Sequence, residues 1–425
     1  MAKETAITDR RGLFSWCLYD WANSAFPTVI ITFVFATYFT SSVAADQVSG
    51  TAQWGYAMSL SALAVAIAAP VFGAMADNSG GRKPWLGFFT ILCIAASCVL
   101  WLVEPDPSFV MIALVFAALA NFAFETGMVF YNAMLPGLTP ESHVGRVSGW
   151  GWGLGYFGGL ICLALTLVGF VQPETPWFGL DKETAEHIRA TALLVALWYA
   201  VFSVPLFLFT PDKSASRSTF GQALKMGLKE LKETFIHVRD YADIVKFLVA
   251  RMIYTDGLNT LYAFGGIYAA GSFGMALDEI IVFAIAMNVT AGLGAAAFGW
   301  VDDWIGPKKT VMIALVGLTA LSTALLIVET KTLFWVFGLP LGLFVGPVQA
   351  ASRSMMARLA PPELTTEMFG LFAFSGKATA FLGPALLGAV TAAFDSQRAG
   401  MATILGFFVL GMILLAVVPE VSRKS

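Results

Sequence analysis

A chain of 425 residues that is 58% hydrophobic and only 12% charged, with a net charge of −3 and a mean hydropathy of +0.75, lacks the balance of a water-soluble domain. Soluble domains carry charge on about a quarter of their residues. The composition excludes an ordinary soluble protein and predicts an integral membrane protein, in which about 20 apolar residues make one helical crossing.

Twelve apolar runs follow in order, at 14–43, 53–76, 86–103, 108–131, 147–171, 190–210, 244–271, 278–301, 310–328, 332–352, 367–393 and 398–419, and each predicts a membrane helix. The first ends in Val43-Ala44-Ala45 after the basic Arg10-Arg11, which mimics a cleavable leader. Its length, with Asp20 and Asn23 inside it, predicts a retained helix. An even number of helices puts both termini on one side. Loops on that side hold Arg10, Arg11, Arg82, Lys83, Arg146, the lysines of 213–246, Lys308, Lys309, Arg353 and Arg358, against Lys182, Arg189, Lys331 and Arg398 on the other. The positive-inside rule then makes both termini cytoplasmic. Short loops favour a bacterial inner membrane. Cys17, Cys93, Cys98 and Cys162 all fall inside apolar runs without ligand-type spacing, so they read as packing residues, and no disulfide framework, metal site or cofactor is expected.

The chain repeats itself. Gly73–Lys83 after the second run and Gly299–Lys309 after the eighth match at Gly73/Gly299, Asp77/Asp303, Gly80/Gly306, Arg82/Lys308 and Lys83/Lys309, every pair 226 residues apart. Asp20-x-x-Asn23-Ser24 is answered by Asp256-x-x-Asn259-Thr260, and Pro140-Glu141 by Pro362-Glu363. The echoes predict two halves, 1–210 and 244–425, joined by a linker, 211–243. Within the linker Phe220, Leu224, Leu228, Leu231, Phe235 and Val238 step by four and three, which predicts an amphipathic helix along the cytoplasmic membrane face. Glu230 and Glu233 interleave its lysines, which argues against a nucleic-acid partner.

Twelve helices in two six-helix halves, with the G-x-x-x-D-x-x-G-x-[RK]-K loop after helices 2 and 8, resemble the major facilitator superfamily. The loops depart from the usual pattern in having Gly81 or Pro307 directly after the second glycine. Within that superfamily Tyr19-Asp20-Trp21-Ala22-Asn23-Ser24-Ala25-Phe26, Tyr131-Asn132-Ala133-Met134-Leu135-Pro136, Arg353-Ser354 and Phe369-Gly370 resemble the autophagy-related vacuole effluxer family and its bacterial relatives. The resemblance implies an all-α fold of two pseudo-symmetric halves, solute transport, a cavity lined by helices 1, 4, 7 and 10, and amino acids as the solute.

Asp20, Glu125, Arg251, Asp256, Arg353 and Lys377 fall in or at the edge of the apolar runs. Each costs about 2.5–3.5 kcal/mol to insert, so each needs a cavity or a partner. Asp20 with Asn23, and Asp256 with Asn259, read either as sites for an ammonium or a proton or as charges that lock helix packing. Glu125, with Tyr131 further along, reads as a proton carrier or as neutralised by Arg146 or Arg353. Lys377 offers a charge to a substrate carboxylate or to an acid of the other half, Arg353 snorkels to phosphate or meets substrate, and Arg251 pairs with Asp256 or Asp20. In the two loops Asp77 and Asp303 are expected to accept amides of a neighbouring helix end, while the basic heads pair acids across the interface and hold the cytoplasmic side shut. The six glycines of 149–159 read as a small-residue packing face.

The expected function is secondary transport of a small polar or zwitterionic solute by alternating access, with protons as a candidate coupling ion and a monomer in the bilayer as the working unit. Alternatives are a carrier of a larger amphipathic compound or metal chelate, and a receptor that binds without moving its ligand. No nucleophile stands beside a base and no nucleotide loop occurs, so an enzyme is not expected.

Overall fold

The computed structural model describes residues 9–79, 81–212 and 220–420. Gly80, Lys213 and Arg217 lie outside the described residues, and so do the side chains of Phe220 and Phe235. The helices are α1 (Arg10–Val43), α2 (Gln47–Ser79), α3 (Lys83–Leu102), α4 (Pro107–Leu138), α5 (Glu141–Val171) and α6 (Glu186–Phe209), then α7 (Phe220–Ile236), then α8 (Ala242–Phe273), α9 (Leu277–Ile305), α10 (Pro307–Ile327), α11 (Lys331–Leu359), α12 (Thr365–Ser375), α13 (Leu382–Phe394) and α14 (Gln397–Ala416). Ten of them are long and apolar enough to cross a membrane. The charged α8 and the pair α12–α13 complete a fold of twelve spans.

Helix ends run past the apolar runs because backbone bonding continues into the polar loops: α4 reaches Leu138 and α11 reaches Leu359. Three spans depart from the simple reading, the fifth only in a π-helical last turn over Leu167–Val171. The first loosens to π-helix over Phe26–Phe33, where Pro27 has no N–H to give to the preceding turn. The eleventh is not one helix. It stops at Ser375, turns through residues 376–381 and restarts at Leu382 as α13.

Glycines set how closely α5 approaches its neighbours. A Cβ on Gly153 would lie 3.1 Å from the Gly292 carbonyl of α9, and one on Gly155 would lie 2.7 Å from Ser24 Oγ of α1. The expected single face is therefore two faces, one for each half. α7 also differs from expectation. It buries the small side Ala223, Gly227 and Thr234 against α2, while Leu228 of the apolar stripe stays exposed. Gly227 sits where a Cβ would meet the Met75 nitrogen at 2.8 Å, so the helix is clamped onto the end of α2.

Candidate functional site

The two repeated loops sit at the end of the bundle that carries both described termini. Asp77, at the end of α2, takes the amides of Thr366 and Glu367 on Oδ2, both at 2.8 Å, and the Thr366 hydroxyl on Oδ1 at 2.7 Å. Asp303, at the end of α9, takes the Gly145 amide at 2.8 Å, the Arg146 amide at 3.2 Å and Arg146 Nε at 2.6 Å. Each aspartate thus caps the first turn of a helix in the other half, where unpaired N–H groups and the positive helix end favour a carboxylate. Gly73 and Gly299 make this possible: a Cβ would lie 2.5 Å from the Thr366 carbonyl and 2.8 Å from Arg146 Cα, respectively. Gly306 ends α9 at φ +94°, a conformation that favours glycine.

The basic heads behave differently from expectation. Arg82 Nε does cross, donating to Thr366 Oγ1 at 3.0 Å. Lys83, Lys308 and Lys309 do not cross. Lys83 Nζ donates to the Phe207 carbonyl at 3.1 Å, Lys308 Nζ to the Ala416 carbonyl at 2.9 Å, and Lys309 pairs with Glu420 at 3.1 Å. Lys83 and Lys308 thereby complement the negative ends of α6 and α14 in their own halves. The second loop recruits Arg358 instead, bonded to Asp302 at 2.6 Å and Asp303 at 3.2 Å.

About a turn deeper lies a buried cation. Arg353 of α11 donates Nη1 to Asp20 Oδ2 at 3.0 Å and to Asn132 Oδ1 at 3.3 Å, Nε to Ser148 Oγ at 2.9 Å, and Nη2 to the Ser148 carbonyl at 2.7 Å. Its guanidinium stands 5.0 Å from the Trp16 ring centre and 5.6 Å from that of Trp152. Arg353 is 1% and Asp20 4% exposed, so neither lipid phosphate nor solute reaches the pair here. Tyr131 packs beneath it, stacked on Trp16 at 4.4 Å and donating to the Trp16 carbonyl at 3.0 Å. Asn23 is buried too, its amide against Met128 Sδ at 3.4 Å.

Glu125 is neutralised by neither Arg146 nor Arg353. Its partner is Lys377, with Nζ 2.7 Å from Oε1, and both side chains remain about a quarter exposed, at 28% and 24%. Arg251 pairs with neither aspartate; it donates to the Phe372 carbonyl and Ser375 Oγ, both at 2.7 Å, and stacks on the Phe372 ring. Asp256 is buried, and its Oδ2 has no hydrogen-bond partner. Asn259 is exposed, on the helical face that carries Tyr262 one turn on.

Away from the loop end, a cavity of about 710 Å³ opens between α1, α5, α8, α9 and α11. Ser24, Thr28, Asn288 and Gln349 give it polar points among Trp152, Tyr156, Tyr262 and Phe283. Tyr156 donates to Gln349 Oε1 at 2.6 Å. Helix rise sets the depths. Ser24 is four residues from Asp20, about 6 Å outward, and Glu125 is seven from Asn132, about 10 Å outward. The cavity and the Glu125–Lys377 pair thus lie at similar depth, beyond the Arg353 node.

Sequence reasoning missed Ser148, Asn132, Arg146, Arg358 and Thr366 as partners. Only Asn132 had a signal, standing in the quoted Tyr131–Pro136 stretch. The rest are set by packing, between the halves for Ser148, Arg146 and Thr366 and within the second half for Arg358.

A family model described as "Vacuole effluxer Atg22 like" matches residues 42–425. The uncharacterized MFS-type transporter YxiO of Bacillus subtilis is 27% identical over 411 residues, covering 96% of this chain and 94% of that one. Autophagy-related protein 22-1 of Penicillium rubens is 24% identical over 305 residues, 66% of this chain and 50% of its own length. Among solved structures, the human organic anion transporter MFSD10 superposes with a TM-score of 0.77 at 14% identity over 96% of this chain and 99% of that one. The proton:xylose symporter XylE gives 0.74 at 13% identity, covering 96% of each.

Proposed function

Because the chain belongs to the vacuole effluxer Atg22-like family of major facilitator transporters, we propose that it moves a small zwitterionic solute, an amino acid, by alternating access. The observation that carries this reading is the Glu125–Lys377 pair: joined between the halves at 2.7 Å, yet a quarter exposed, at the depth of the cavity. A zwitterion splits such a pair without loss of charge balance, its carboxylate replacing Glu125 on Lys377 and its ammonium replacing Lys377 on Glu125. Solute binding thereby unlatches the two halves. The division at the 211–243 linker and the cytoplasmic side for the loop end belong to the same proposal. On it, the Asp77 and Asp303 caps and the Arg353–Asp20 node close the cytoplasmic face while the cavity opens outward.

The test is uptake of labelled amino acids, simple amines and simple carboxylates into proteoliposomes, with native protein, Lys377→Met and Glu125→Gln. The proposal expects amino-acid flux in the native protein, reduced at least tenfold in each variant. Amino-acid flux unchanged in both variants rejects the pair as the receptor. A second reading, an amphipathic compound, is favoured by the aromatic lining of the cavity, which holds no ionised side chain. Bulky ligands that compete where amino acids do not would select it.

A further inference from the structure

Asp20 and Glu125 are both ion-paired, whereas Asp256, deep in the seventh apolar run, forms no ion pair with any described residue. Asp256 is 1% exposed, and its Oδ2 has no close hydrogen-bond partner among the described residues. What faces it is the break in the eleventh span. Thr379, in the turn between α12 and α13, stands beside the carboxyl with its Oγ1 buried. Gly383 of α13 lies directly on α8, where a Cβ would clash with Thr260 Oγ1 and come within 3.0 Å of the Asp256 carbonyl. The first turn of α13 is therefore packed against the backbone of α8 at Asp256 and Thr260.

In the break the Phe374 and Thr379 carbonyls are taken by backbone N–H groups, Phe374 by Lys377 and Ala378 and Thr379 by Leu382. Pro384 has no N–H for the carbonyl of Ala380, four residues earlier. The other described surroundings offer no counter-charge. Gly257, next in the chain, abuts Phe407 and Phe408 of α14; Arg251 is held by Phe372 and Ser375; Lys377 is held by Glu125. A buried carboxylate without a partner is costly, and one negative charge is balanced by one positive charge. Oxygen donors without nitrogen or sulfur suit a hard ion, and an interrupted membrane helix is a place where backbone carbonyls coordinate one.

We propose that Asp256, Thr379 and the turn between α12 and α13 bind one monovalent cation, sodium, carried together with the solute. Its coupling role rests on the transporter reading; the binding does not. The site involves no group of the Glu125–Lys377 pair, so flux and ion binding fail separately.

The experiment is thermal unfolding of the purified full-length protein in detergent at pH 7.5, with sodium, potassium or choline chloride at constant ionic strength, repeated at pH 5.5. The proposal expects a saturable rise of several degrees with sodium over choline, absent in Asp256→Asn. In Thr379→Val, which keeps the shape but loses the hydroxyl, the half-saturating sodium concentration should rise at least tenfold. If Asp256→Asn does not fold, Thr379→Val decides: an unchanged half-saturation overturns the site. No sodium response in the native protein, or one that survives Asp256→Asn, also overturns it. A response to acid alone, equal in sodium and choline, replaces the cation with a protonated carboxylic acid and likewise overturns the proposal.

Discussion

Asp20 and Asp256 occupy the same place in two copies of one helix, yet one is bound by a guanidinium from the opposite half and the other by no cation among the described residues. The reason lies in a third position. Pro140 matches Pro362, an offset of 222, and the same offset carries Arg353 back to Tyr131 (353 − 222 = 131). The second half therefore supplies an arginine to Asp20, while the first half has Tyr131 and Asn132 at the equivalent point. Duplication preserved the two carboxylates and lost the symmetry of their partners. On the sodium proposal, one aspartate is left to hold the halves together and the other to take a ligand.

Removing the arginine breaks this contrast most severely. Arg353→Met leaves the Asp20 charge buried and unpaired, which costs about 3–5 kcal/mol, whereas Asp256→Asn removes a charge that no cation balances and costs at most about 1 kcal/mol in sodium-free buffer. Unfolding in detergent should show a large fall for the first variant and a small change for the second. Adding Asp20→Asn to Arg353→Met should restore much of the loss, and no recovery would mean that Ser148 and the aromatic rings, not the ion pair, carry the node.

The two loop locks sharpen the comparison at the next level. Asp303 accepts two amides and lies between Arg146 and Arg358, whereas Asp77 accepts two amides and the Thr366 hydroxyl, with Arg82 at 3.9 Å. Charge-assisted bonds contribute about 1.5–3 kcal/mol each, so Asp303→Asn should open the loop end more than Asp77→Asn. Labelling rates of a cysteine at the buried Ser148 report the opening. Equal rates in the two variants would show that the amide caps, which both loops share, dominate.

The smallest effect concerns α7. Glu230 receives the Asn78 amide, and burial, helped by Asp77 and Glu233, pushes its pKa above the ordinary 4.5. The docked helix holds that proton better than the free one, so docking is favoured below the ordinary value and weakens as pH rises through the shifted one. Glu230→Gln should be slightly more stable than the native protein at pH 8 and equal to it at pH 4. The opposite trend would mean that the Asn78 bond outweighs desolvation.

Much of the fold is written along the chain itself. Apolar runs mark the spans, and glycine, aspartate and basic residues at one offset mark the loops, because these features depend on neighbours a few residues apart. Asp77 and Asp303 were legible as caps because a carboxylate at a helix end has few other uses. The pairings were not legible. Arg353 meets Asp20 across 333 positions and Lys377 meets Glu125 across 252, and each depends on how two helices are rotated about their axes. The break in the eleventh span was not legible either, since the apolar run 367–393 is continuous while the helix stops at residues 376–381, beside the packing of α13 onto α8.

The most direct experiment separates exchange from accumulation in proteoliposomes containing Asp256→Asn, using an amino acid that the native protein carries under an inward sodium gradient. If Asp20 holds the gate and Asp256 the coupling ion, the variant exchanges internal for external solute at near-native rate but no longer concentrates it. Accumulation at the native level, or loss of exchange along with it, would contradict that division of labour.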